Sequence, residues 1–86
     1  MTNVKEDRHF IFIEGDYEGW IVLHSKDDFE SESHITLWAE VNNTVFEKVN
    51  KQTVREISEE QYNVVDDGIQ KGIFEEASQK IVKEVR

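Results

Sequence analysis

Eighty-six residues suffice for one domain with one core but not for two, and a chain of this size buries a little over roughly 60% of its unfolded surface. The absence of cysteine excludes a disulfide framework, a thiolate metal site and a thiol nucleophile. With 19 acidic residues against 10 basic ones, a net charge of −9, direct contact with a nucleic-acid backbone is disfavoured.

The opening MTNVKEDRHF mixes charges before any apolar run, unlike a secretory leader. The apolar runs FIFI and WIVL are far shorter than the about 20 residues of a membrane span. A cytoplasmic protein is the expectation.

Residues 9–15 (HFIFIEG) and 19–25 (GWIVLHS) are short β-rich runs around GDYEG. Gly15 and Gly19 tolerate positive φ, which predicts an antiparallel hairpin with a loop of about five residues. Residues 26–33 (KDDFESES) then form a polar connection with one aromatic residue, Phe29, among Asp27, Asp28, Glu30 and Glu32. Ser25 to Asp28 fit a single helical turn that carries Phe29 inward to plug the edge of the core, a burial worth about 1.5–3 kcal/mol. Left outside, the ring would instead be an apolar anchor surrounded by charge.

In 34–41 (HITLWAEV), Ile35, Leu37, Ala39 and Val41 alternate with His34, Thr36, Trp38 and Glu40, so the aliphatic face is expected to meet the core. Asn42 and Asn43 suit a tight turn, after which 45–49 (VFEKV) returns as the next strand. A fifth strand or an extended link is expected at 53–57 (TVREI). From Ser58 onward the period becomes helical. Ser58 and Gln61 fit a capping box, and Glu59 and Glu60 sit where the helix dipole favours negative charge. Tyr62, Val65 and Ile69, then Phe74, Ala77, Ile81 and Val85, form apolar stripes. Gly68 and Gly72 predict a break near DDGIQKG, giving one kinked helix or two.

The expected fold is α+β, an antiparallel sheet of four to five strands with the C-terminal helices packed on one face. Residues 1–86 are read as a single domain. Apolar side chains in FIFI and WIVL point to both sides, and Trp38 lies opposite Leu37, so the helices cannot cover every large apolar group. Either the strands curl onto themselves or the second face meets another protein, a homodimer being the economical case.

The charge is concentrated. Within residues 14–46, Glu14, Asp16, Glu18, Asp27, Asp28, Glu30, Glu32 and Glu40 stand against Lys26 alone. The triplets 14/16/18 and 28/30/32 repeat every second residue, about 6.6 Å in an extended chain and close to the spacing of phosphates along a strand. His9, His24 and His34 fit no fixed-spacing metal motif, and Val65 spoils a calcium-loop pattern in NVVDDG. Ser25 beside His24 and Ser33 beside His34 are the only nucleophile and base neighbours, and adjacent strand residues point to opposite faces. Neither metal, cofactor nor catalysis is expected.

What remains is a small acidic binding protein. Its region 14–46, with Tyr17, Phe29 and Trp38 as anchors, is expected to dock on a basic surface of another protein, a nucleic-acid-processing enzyme being one such target. Inhibitors of those enzymes, immunity proteins and phage antagonists share this physics by charge and size alone. The alternative is a structural or regulatory homodimer whose acidity serves solubility.

Overall fold

A computed structural model describes residues 7–86. Five strands, β1 (Arg8–Phe12), β2 (Ile21–His24), β3 (His34–Ala39), β4 (Thr44–Asn50) and β5 (Val54–Ile57), are followed by helices α1 (Glu59–Gln70) and α2 (Phe74–Val85). The sheet is antiparallel with order β4-β3-β2-β1-β5. This is the α+β arrangement that the change of period predicts, and TVREI supplies a true fifth strand.

Its two edge strands, β4 and β5, are joined only by the 3-10 turn Lys51–Thr53. A flat five-stranded sheet is about 19 Å wide, whereas the four Cα steps from Asn50 to Val54 reach at most about 14 Å. The sheet must therefore curl. Phe12 on β1 and Phe46 on β4, with two strands between them, bring their ring centroids to 5.2 Å. The turn runs along the seam, its Lys51 N–H donating to Ser33 O and its Thr53 carbonyl accepting from Ile13 N–H, both at 2.9 Å.

Curling produces a core on each face. Inside the curl lie Phe10, Phe12, Val22, Ile35, Leu37, Ala39 and Val54, flanked by Trp20, Phe46 and Val49. Against the helices lie Ile11, Ile13, Ile21, Leu23 and Ile57, meeting Tyr62, Val65, Ile81 and Val82. A β-bulge makes the inner face continuous. Ile35 pairs with Val49 but Leu37 with Phe46, so β4 carries one extra residue, and Lys48 takes φ 56 there with its N–H donating to Thr36 Oγ1 at 3.3 Å.

Two expectations are corrected. The aliphatic side of β3 is buried, but inside the curl rather than under the helices; Trp38 is the residue that faces the helices and packs, half-buried, against their core. Val41 lies beyond the end of β3, in the turn, and is 57% exposed. The first follows from a sheet with two buried faces, where alternation marks sides without saying which side the helices take; the second follows from β3 ending at Ala39.

The helices begin and end as their residues dictate. Ser58 Oγ accepts from Gln61 N–H at 3.0 Å, and Gln61 Oε1 accepts from Ser58 N–H at 2.9 Å. After α1, Gly72 adopts φ 78 while its N–H donates to Ile69 O and Ile73 N–H donates to Gly68 O, a Schellman termination that turns the chain into α2.

Candidate functional site

The hairpin connectivity decides where the acidic residues go. Loop 13–20 and turn 40–43 leave one end of the sheet, and connection 25–33 leaves the other, with the four residues of β2 between them. That separation is about 13 Å along the strand. Glu14, Asp16, Tyr17, Glu18 and Glu40 therefore share one end, while Asp27, Asp28, Phe29, Glu30 and Glu32 occupy the opposite one. Trp38 belongs to neither, being packed on the helix side.

At the 25–33 end Asp28 and Glu30 are engaged, while Asp27 and Glu32 are exposed without a hydrogen bond or ion pair to a described residue. Glu30 accepts from Lys51 Nζ at 2.7 Å and from Arg8 Nη1 at 3.0 Å, and Arg8 also forks onto Glu56 at 3.0 and 3.1 Å. The hydrogen bond from Lys51, then the charge of Arg8, holds the Glu30 carboxyl below its usual range, while Glu56 raises the Arg8 guanidinium. Beneath this cluster His24 is buried. Since a carbonyl only accepts, His24 Nδ1 donates to Thr36 O at 2.9 Å, leaving Nε2 3.6 Å from Glu30 Oε1.

Asp28 closes a turn, its Oδ2 accepting from Ser25 N–H at 3.1 Å. Phe29 does not plug the core. It is 46% exposed with Lys48 Nζ 5.2 Å from its ring centroid, because its carbonyl accepts from Thr36 N–H and this short pairing of 29–31 along β3 turns the side chain outward. Ser33 and His34 also depart from expectation. Ser33 precedes β3 rather than lying in it, so its Oγ reaches His34 Nδ1 at 2.7 Å on the surface.

The other end is assembled differently. Gly19 takes φ 93, and a Cβ there would lie 2.9 Å from Ser78 Oγ, so glycine lets loop 13–20 press on α2. Arg86 ties the same loop down, its Nη2 donating to Ile13 O at 2.8 Å and Glu18 Oε2 at 2.9 Å. Tyr17 is 43% exposed yet held by edge-on contacts with Trp20 at 5.0 Å and Phe46 at 4.8 Å. Just before Tyr17, the Glu14 and Asp16 side chains are exposed and make no hydrogen bond or ion pair with a described residue.

Beside this loop lies a mostly apolar groove of about 190 Å³ lined by Trp20, Ile21, Ala39, Val41, Ile69 and Phe74, with Asn42 its one polar residue. Along the chain Glu18, Glu40 and Glu75 lie within two residues of Trp20, Val41 and Phe74, although Glu40 itself lines the neighbouring depression beside Tyr62. Sequence reasoning did not single out Trp20, Val41 or Phe74 for binding. The missed signal was WIVL itself, whose tryptophan opens the strand beside an acidic loop.

Glu40 also accepts from the buried Tyr62 hydroxyl at 3.1 Å, and burial followed by that carboxylate raises the Tyr62 phenol above its ordinary range. Tyr62, His9, Glu59, Asn63 and Asp66 surround a polar depression there. Neither acidic triplet forms a regular row: 14/16/18 lies in a turn, and the middle member of 28/30/32 is folded into the Arg8 and Lys51 cluster. Among the described residues there is no group of three or more histidines or carboxylates able to hold a metal ion, and no helix long and apolar enough to cross a membrane. Comparison with protein-family models, curated proteins and solved structures gives no match.

Proposed function

We propose that the chain is a non-enzymatic cytoplasmic binding protein that docks an acidic end on a basic surface of another protein. The observation that carries this reading is the company kept by Glu14 and Asp16: two uncommitted carboxylates leading into a rigidly packed, exposed Tyr17. Carboxylates in this position steer a cationic partner by long-range attraction, and an aromatic ring already held in place costs little entropy on binding.

Of the acidic stretch 14–46, the loop 13–20 and turn 40–43 are the better surface. At the opposite end Arg8, Lys48 and Lys51 sit among the carboxylates and cancel much of the field. Proteins that handle nucleic acids carry basic surfaces by necessity and are the partner class that this charge fits. The homodimer alternative drew its support from an uncovered sheet face, and the curl buries that face within one chain.

The test is binding to a panel of immobilised basic nucleic-acid-binding proteins at low and high salt. A saturable interaction with a subset of the panel, weakened by salt, is expected. Retention that follows partner charge alone, or none, would contradict the proposal.

A further inference from the structure

We infer that the groove between Trp20, Val41, Ile69 and Phe74 receives one apolar side chain of the partner, presented between basic residues. This rests on the proposed docking of the acidic end and names what that end recognises. Three observations select the occupant. The groove, at about 190 Å³, is smaller than the roughly 300–1,000 Å³ of pockets for drug-sized ligands and suits a single side chain. Apart from Asn42 its lining is apolar, so a charged group entering it would lose most of its hydration for at most one amide partner.

Its neighbours along the chain are acidic. Glu14, Asp16, Glu40, Glu75 and Glu76 form no ion pair with a described residue, whereas the neighbouring cations Lys71 and Arg86 are already paired with Asp67 and Glu18. The complementary sequence is therefore a leucine-like anchor flanked by arginines or lysines. Val41, in the lining, is 57% exposed, so the groove opens to solvent beside the 40–43 turn. A buried anchor ringed by charge is the usual energetic layout of a protein interface.

Trp20 reports directly on occupancy. In Trp38→Phe it is the sole tryptophan, the chain having two. The probe is a capped pentapeptide with leucine between two pairs of arginines, compared with the same peptide carrying alanine at the centre. The leucine peptide is expected to shift Trp20 emission and to bind about tenfold more tightly than the alanine peptide. Adding Val41→Glu separates the groove from the field, because the extra negative charge strengthens a purely electrostatic complex but spoils an apolar lining. Weaker binding of the leucine peptide is expected. Equal affinities for the two peptides with tighter binding to Val41→Glu would overturn the groove and leave acidic docking standing; failure of both peptides to bind would overturn both.

Discussion

Glu30 shows why an acidic residue is not automatically a recognition residue. It lies in the most acidic stretch of the chain, yet Lys51 and Arg8 both bond it, so it anchors connection 25–33 to β1 and to the seam. Its depressed pKa fixes the sign of the pH dependence. The stabilisation is present above the unfolded carboxylate value of about 4.3 and is lost as pH falls through the lower folded value. Glu30→Gln should therefore lower the melting temperature at neutral pH, with the gap from wild type closing in acid. A constant gap across that range, measured by thermal melts, would show that the ion cluster does not stabilise the fold.

Among the elements, the helix pair depends on a glycine that its own helix would prefer to avoid. A Cβ at Gly68 would lie 2.5 Å from Ala77 Cβ, so glycine lets α1 and α2 approach closely. Gly68→Ala should cost about 1–3 kcal/mol by overpacking, despite alanine's better helix propensity; a more stable variant in denaturant titration would contradict this packing. The sequence showed Gly68 as part of a helix break, whereas it lies inside α1 and the break belongs to Gly72.

That difference marks what was legible. The capping box of Ser58 and Gln61, the glycines of loop 13–20 and the Asn43 turn are chemistry between near neighbours, so they could be read directly. The fate of Trp38 and Phe29 depended on contacts far along the chain. Trp38 takes the helix side because the curl claims Leu37, and Phe29 turns out because its backbone pairs with β3. The division of the acidic residues between two ends was implicit in the predicted hairpins, since two successive loops of an antiparallel meander leave opposite ends. Their summed charge concealed it.

For the molecule as a whole, the curl converts a sheet with two apolar faces into a body with two cores. If the inner core is as integral as the helix-side core, Leu37→Ala should destabilise by about 2–5 kcal/mol, comparable with Ile81→Ala. A loss for Leu37→Ala within about 0.5 kcal/mol, as at surface positions, would mean that the inner face is not sealed. With that face sealed, the acidic end with Tyr17 and its groove is a surface where apolar area and uncompensated charge coincide without the basic side chains that accompany Phe29 at the other end.

Two double charge reversals of equal size test this directly. Glu14→Lys with Asp16→Lys, and Asp27→Lys with Glu32→Lys, alter exposed carboxylates at opposite ends and change the net charge identically. Association rates with a basic partner, measured by stopped flow at low salt, should fall steeply for the first pair and far less for the second. Equal slowing by both pairs would show that net charge alone governs the encounter and that no particular end is the docking surface.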